Sequence, residues 1–270
     1  MEIRVGFELH YEFYQPTPII LTLDVHHTRA NDIVSLDRLH TDPTVPISAY
    51  RDGFGNWCSR LLAPTGPIRI TNGAVVRDSG IADAFVPGAF QHTIDNLPED
   101  ALLFLLGSRY CETDLLSQAA WDLFGWTNPG WDRVQTICNY VHNHIRFDYQ
   151  LARSTRTAWE AYQERVGVCR DFTHLAITFL RCMNIPARYC TGYLGDIGMP
   201  PPYTPGDFAA WLEVYLGGAW HTFDPRNNVP RIGRVLIARG RDAADVAITT
   251  TFGPGVLDGF TVWCDEVSNT

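Results

Sequence analysis

The sequence predicts an α+β protein in which a β-rich N-terminal part precedes helices and then an antiparallel sheet. Residues 1 to about 95 alternate or run apolar, as in VGFELHYEFY and IILTLDVHH, with turn clusters between these stretches. From about residue 113, apolar residues recur at spacings of three and four, the period of an amphipathic helix. After Pro186 the strand pattern returns around Gly217-Gly218, a strong signal for a two-residue hairpin. We therefore expect a β-rich N-terminal domain over 1–100 and a second domain over 101–270.

The composition is that of a globular protein with enough apolar material for a core. Of the 270 residues, 46% are hydrophobic and 19% are charged, and the formal net charge is −9. Because no cluster of Lys and Arg interleaves with aromatic residues, we expect no nucleic-acid partner and no membrane partner. The first eighteen residues alternate charged and apolar types instead of forming an apolar run, so a cytoplasmic location is predicted.

The cysteines indicate neither a metal site nor a disulfide framework. There are seven, an odd number, at irregular spacings and without a CxxC pair. We therefore expect no metal and no cofactor, and most of these thiols should be buried small hydrophobes.

Helix signals define the start of the second part. Thr113-Asp114 can cap the helix LLSQAAWDLF, which should end at Gly125. Pro129 is predicted at the start of a second helix, WDRVQTICNYVHNHI. TRTAWEAYQERVG should form a third helix, with Thr155 or Thr157 at its cap and Gly167 as its stop.

The segment CRDFTHLAITFLRCMNIPARYCTGYL predicts a helix with one buried face and then a strand. Asn184 can end the helix in the left-handed conformation, and Pro186 prevents its continuation. Cys169 stands at the helix start, where unpaired N–H groups and the helix dipole stabilise a thiolate. Arg170 should add to that field, so Cys169 is a candidate nucleophile.

The hairpin predicts which residues share a face with one another. If Gly217-Gly218 is the turn, Leu216 faces Ala219, and Asp224 should lie opposite Trp211. Ala209 and Asp224 would then be diagonal neighbours on one face, within reach of a long side chain. A histidine at position 209 would meet Asp224 and could present its other nitrogen to a nearby thiolate. Further strands are predicted for RVLIARG, DVAITTTF and FTVWCDEV, which complete the antiparallel sheet.

Three stretches resemble the transglutaminase-like superfamily, in particular bacterial transglutaminase-like cysteine proteases with a β-rich N-terminal domain. They are GVCRDFTHLAITFLRCMNIPARYCTGYL, DFAAWLEVYLGGAWHTFDPRNN and RVLIARGRDAADVAI. The resemblance implies a papain-like core, in which a helix bundle packs on an antiparallel sheet, and a Cys-His-Asp site. It places the nucleophile on Cys169, the aspartate on Asp224 and the histidine on position 209, where this chain has Ala209. It therefore implies a cysteine-dependent hydrolase of amide or peptide bonds acting through a thioester.

The alanine at position 209 has three explanations. It could be an engineered replacement that silences the enzyme, the mark of a natural pseudoenzyme that binds, or a loss compensated by His174. We favour engineering, because a drifting pseudoenzyme should lose Cys169 and Asp224 as readily as its base. Acyl transfer to an amine, of the transglutaminase or amide synthase type, is the alternative to hydrolysis, since both reactions use the same acyl-enzyme.

Substrate contacts are expected from three further side chains. Trp159 is placed near the second oxyanion donor, while Arg170 and Trp211 flank the predicted nucleophile and base. The partner they would contact is a peptide or another amide-containing substrate.

Overall fold

A computed structural model describes residues 1–203 and 206–267, and for residues 36 and 37 the backbone alone. The strands are β1 (Glu2–Phe13), β2 (Thr17–Leu21), β3 (Ile33–Asp42), β4 (Ile47–Arg51), β5 (Trp57–Ala63), β6 (Gly66–Arg77), β7 (Arg146–Phe147), β8 (Val166–Gly167), β9 (Ala187–Tyr193), β10 (Phe208–Leu216), β11 (Ala219–Phe223), β12 (Val235–Gly240), β13 (Thr249–Thr251) and β14 (Gly255–Glu266). The helices are α1 (Glu99–Leu102), α2 (Thr113–Phe124), α3 (Trp131–His144), α4 (Ala158–Glu164) and α5 (Cys169–Cys182). The predicted α+β class is confirmed.

The N-terminal strands form two four-stranded antiparallel sheets. Their strand orders are β14-β1-β6-β3 and β13-β2-β5-β4. Alternate residues of β1 and β6 are buried, which is the pattern of strands with one face on a core and one in water. The predicted β-rich N-terminal region is therefore present, and the domain boundary near residue 100 stays a prediction.

The last two strands correct the expectation that every strand after the helices joins one sheet. β13 pairs with β2, and β14 pairs with β1 along almost its whole length. An alternating pattern shows which side chains share a face but carries no information about which strand lies alongside. The C-terminal strands therefore complete the N-terminal sheets and do not extend the sheet that follows the helices.

The part of the fold that follows the N-terminal sheets is built around α5. This helix packs against β9 and β10 on one side and against α2, α3 and α4 on the other. The sheet beneath it has the order β11-β10-β9-β12. Every residue from Asp171 to Cys182 is buried, whereas the sequence predicts a single buried face. The difference arises because helices cover the side of α5 that its pattern would leave to solvent.

Local signals at three helix ends are confirmed. Gly125 follows the last residue of α2, and Asn184 has a φ of 61° just beyond α5. Thr157 caps α4, where its side chain accepts from the N–H of Glu160 and the Glu160 carboxylate accepts from the N–H of Thr157.

Two other helix ends differ from the prediction. α2 begins at Thr113 without a side-chain cap. α3 begins at Trp131, the first residue of the predicted segment, two residues after Pro129. α4 ends at Glu164, and Arg165 after it has a φ of 56°, so the helix stops before Gly167. Gly167 instead lies in β8, which pairs with β7, so tertiary pairing ends this helix early.

The Gly217-Gly218 hairpin has the predicted register. Both glycines have positive φ, 58° and 87°, as a two-residue turn of type I′ requires. Leu216 pairs with Ala219, and Glu213 pairs with Thr222. The ladder ends with Leu212 and Phe223, so the predicted pairing of Asp224 with Trp211 does not form.

Gly6→Ala should destabilise the protein by about 1–3 kcal/mol, the usual cost of overpacking. A methyl group at this position would lie 2.3 Å from Cζ2 of Trp263 and 2.7 Å from the carbonyl oxygen of Asn72. Gly259→Ala on the neighbouring strand is the matched control, because a methyl group there has nothing within 4 Å. Urea denaturation of both variants measures the free energy of unfolding. Equal stability of the two variants would contradict the close approach of β1 and β14.

Candidate active site

A cleft of about 680 Å³ opens beside the start of α5. Its walls come from the start of α5, the start of β10, the turn after β11, the end of β14 and the loop after β9. Among the residues that line it are Cys169, Asp207, Ala209, Tyr149 and Arg226. Cys169 and Ala209 thus share one cavity.

Cys169 is held at the first position of α5 by a buried acid. The carboxylate of Asp171 accepts from the N–H of Val168 at 2.9 Å and pairs with Arg156 at 3.1 Å. An added methyl group at Gly167 would lie 2.6 Å from Cβ of Asp171, so only glycine permits this approach. The Gly-Val-Cys turn is therefore fixed by a satisfied helix N-terminus.

The Cys169 thiol is less acidic than the sequence predicts. Burial raises the pKa of Cys169 to about 11, although backbone hydrogen bonds from Ala210 and Arg170 oppose that rise. The carboxylates of Asp207 and Asp224 raise the pKa of the thiol further. The expected thiolate therefore stays a prediction, which burial and the two carboxylates oppose and the backbone N–H groups at the helix start favour.

Position 209 lies beside the thiol. The residue after it, Ala210, provides a backbone hydrogen bond to Cys169, and Ala209 itself pairs with Gly192 of β9. Arg226 lies in the turn after β11 with its guanidinium over the Phe147 ring at 4.5 Å. Ala209 lines the cleft that contains Cys169 and also packs against Cys190, Trp211 and Leu236.

Asp224 is buried and already has partners. Its Oδ1 accepts from the N–H of Asn227 at 2.9 Å, and its Oδ2 accepts from Nδ2 of Asn227 at 2.7 Å. Nη2 of Arg234 donates to the same Oδ2 at 2.9 Å. Residues 224–227 thus form a turn held by the Asp224 side chain, and in this chain an asparagine and an arginine satisfy the carboxylate.

The three predicted substrate-binding side chains lie outside the cleft. Trp211 is 2% exposed and packs under the guanidinium of Arg234 at 5.1 Å. Arg170 donates to the carbonyls of residues 153, 154 and 156 and covers the ring of Tyr110. The N–H of Trp159 donates to Glu112, so it is not free to stabilise an oxyanion. The structure thus gives all three residues contacts within the fold, and their predicted contact with substrate stays a prediction.

His174 does not replace the missing base. Its ring is buried between Tyr110 and Tyr189, and its Nε2 accepts from the N–H of Ala243 at 3.1 Å. Burial lowers the pKa of His174 well below its ordinary value. This histidine is neutral and fully packed, and it does not line the cleft.

Two cleft residues were not predicted from the sequence. The hydroxyl of Tyr149 donates to Oδ2 of Asp207 at 3.1 Å, and burial raises the pKa of Asp207. Asp207 lies two residues before Ala209, and side chains at that spacing share one face of a strand. This spacing could have placed Asp207 in the site. Tyr149 comes from the connection between α3 and α4, and no local pattern assigns it to this cleft.

Within residues 1–203 and 206–267, no helix is long and apolar enough to cross a membrane. Within the same residues, no group of three or more His, Cys, Asp or Glu side chains could hold a metal ion. The location of the protein in the cell stays a prediction.

The fold and the cleft define a class: α+β proteins with a cysteine at the start of a central helix packed on an antiparallel sheet. A family model of the transglutaminase-like superfamily matches residues 118–225, which include α5 and the β10–β11 hairpin. The chain belongs to the transglutaminase-like superfamily.

Relatives cover most of the chain. The uncharacterized protein ML0607 of Mycobacterium leprae is 37% identical over 224 residues, 79% of this chain and 78% of the relative. The uncharacterized protein Rv2569c of Mycobacterium tuberculosis is 28% identical over 244 residues, covering 77% and 73%. A crystal structure from Cytophaga hutchinsonii, described as "a putative cysteine protease", matches with a TM-score of 0.86 at 28% identity. That match covers 100% of this chain and 92% of the other.

Alkylation of Cys169 by iodoacetamide should rise about tenfold for each pH unit between pH 7 and pH 10, because only the thiolate reacts. With a pKa of about 11, the thiol has no plateau in that range. Peptide mass spectrometry measures the rate at this residue, with glutathione as the reference thiol and Cys169→Ser as the blank. A plateau below pH 9 would show that the helix terminus, and not burial, controls the thiol.

Proposed function

We propose that this fold carries cysteine-dependent hydrolysis of amide or peptide bonds, and that the present chain is strongly impaired because position 209 is alanine. The observation that carries the proposal is Cys169 at the start of α5, inside the cleft and hydrogen-bonded by the backbone of Ala210. The superfamily and the Cytophaga hutchinsonii match support cysteine chemistry of this kind.

The reaction would pass through a thioester. The Cys169 sulfur attacks the amide carbonyl, and the thiol proton passes to an imidazole at position 209. That imidazole then protonates the leaving amine as the C–N bond breaks. Water adds to the thioester, which releases the carboxylic acid and returns the proton to the thiol. Asp224 would orient the imidazole and stabilise its charged form.

Alanine at position 209 removes both proton transfers. The thiol keeps its proton at neutral pH, since burial raises the pKa of Cys169 to about 11. The leaving amine then has no acid aligned with it. An engineered replacement remains our explanation for Ala209, because the nucleophile and Asp224 are both retained.

A natural binding module is the second candidate, and one observation favours it. Both oxygens of the Asp224 carboxylate already accept hydrogen bonds from Asn227 or Arg234 in this chain, so no group at position 209 is needed to satisfy it. Such a protein would use the cleft to hold a peptide without cleaving it.

Ala209→His should raise kcat/KM toward amide or peptide substrates by a factor on the order of 10³, because it restores the base and the acid. Labelling of Cys169 at pH 7 should rise as well, since an imidazolium stabilises the thiolate. A peptide library with mass-spectrometric detection measures the first quantity, and a thiol-directed probe measures the second.

Ala209→Gln is the matched control, because it fills similar space without transferring protons near neutral pH. Neither labelling nor turnover should rise in this variant. If Ala209→His also leaves both unchanged, the enzyme proposal fails and the binding module takes its place.

Hydrolysis should dominate over amine transfer in the Ala209→His protein. The carboxylic acid should remain the main product when primary amines are added at millimolar concentration, and mass spectrometry distinguishes it from the N-alkyl amide. The double variant with Cys169→Ser gives the uncatalysed background. Capture of most of the acyl group by amines would make the protein an acyltransferase.

A further inference from the structure

We propose that Arg234 is a positioning residue, the counter-ion that sets the position and effective charge of Asp224, and that Asp83 holds Arg234 from the opposite side. This role rests on the cysteine chemistry proposed above. Arg234 and Asp83 lie outside the set formed by Cys169, position 209 and Asp224. Asp83 comes from the segment between β6 and α1.

The guanidinium of Arg234 bridges two carboxylates. Its Nε donates to Oδ1 and Oδ2 of Asp83 at 3.0 and 2.9 Å, and its Nη2 donates to Oδ2 of Asp224 at 2.9 Å. The face of the guanidinium lies 5.1 Å from the Trp211 ring. Two carboxylates and an aromatic face thus fix it in one orientation.

The bridge is buried. The side chains of Arg234, Asp224 and Asp83 are 8%, 3% and 16% exposed. Burial alone would lower the pKa of Arg234, but the two carboxylates more than offset it and the pKa is raised. The guanidinium therefore stays charged beside Asp224. A buried pair of this kind contributes little net stability, yet removing one partner leaves an uncompensated charge.

Asp83 is itself fixed by the turn that follows Asp224. Its Oδ2 accepts from the N–H of Arg231 at 2.9 Å, and its own N–H donates to the carbonyl of Arg231 at 2.9 Å. Asp83 lies between β6 and α1, in the connection from the N-terminal sheets to the helices. The segment that precedes the helices is therefore connected to Asp224 through the side chains of Asp83 and Arg234.

Arg234 and Asp83 should act on an imidazole at position 209 in opposite directions. The positive charge of Arg234 partly neutralises Asp224, so the Asp224 carboxylate stabilises an imidazolium less strongly. Asp83 holds the guanidinium from the other side and so limits its interaction with Asp224. Other charged or titratable groups lie near Asp224 and the thiol. Arg226 and Arg231 both donate to Oδ1 of Asn227, Asp207 lines the cleft, and burial and the charge of Asp224 raise the pKa of Cys138 in α3.

The test is an NMR titration of the imidazole introduced by Ala209→His, which is assigned by comparison with the parent chain. Adding Arg234→Gln should raise the pKa of this imidazole by about half a unit or more, since a cation is lost and Asp224 is freed. Adding Asp83→Asn should lower it, because Arg234 then moves onto Asp224. Arg239→Gln is the matched control, since Arg239 pairs with Glu213 elsewhere on the same sheet and should give no shift.

Activity in the Ala209→His background gives a second readout. Arg234→Gln should lower kcat about tenfold or more with little change in KM, and Arg234→Lys should recover part of the loss. If Ala209→His is inactive, the proposed hydrolysis fails, but the titration still decides the role of Arg234. If Arg234→Gln does not fold, the Asp83→Asn shift decides it. Shifts no larger than that of Arg239→Gln would overturn the proposal.

Discussion

The enclosure of α5 by helices and sheet is the constraint on which the part of the fold that follows the N-terminal sheets depends. Both ends of this helix are fixed by buried charged side chains that match the sign of the helix dipole. Asp171 accepts from the N–H of Val168 at the start, and Arg181 donates to the carbonyls of Ala187, Leu106 and Arg241 at the end. These contacts tie the helix to β9 and to the chain that precedes α2.

The same enclosure explains why the thiol is weakly acidic. A rise in the pKa of Cys169 from 9.0 to about 11 corresponds to about 3 kcal/mol against the thiolate. A helix N-terminus stabilises a thiolate by on the order of 1 kcal/mol, which is less than the destabilisation by burial and the neighbouring carboxylates. In the Cys-His-Asp site that we propose, an imidazolium at position 209 would supply the stabilisation that the thiolate lacks in this chain.

The N-terminal sheets take part in the cleft through their last strand. β14 pairs with β1 and also supplies one wall of the cavity. Added methyl groups at Gly195 and Gly206 would lie 2.1 and 2.0 Å from the carbonyl oxygens of Cys264 and Val262. Only glycine permits the loop after β9 to approach this strand so closely. The shape of the cleft therefore depends on both parts of the chain.

Local signals in the sequence were enough for the α+β class, the register of the Gly217-Gly218 hairpin, the end of α5 at Asn184 and the place of Cys169 at a helix start. Each of these follows from a few neighbouring residues, whose backbone preferences act over one turn or one strand. The tertiary structure decided the partner of β14, the acidity of the thiol and the bridge from Asp83 to Arg234. Asp83 and Arg234 are 151 positions apart. Contacts at that separation, and the burial that sets a pKa, exist only once the elements have packed.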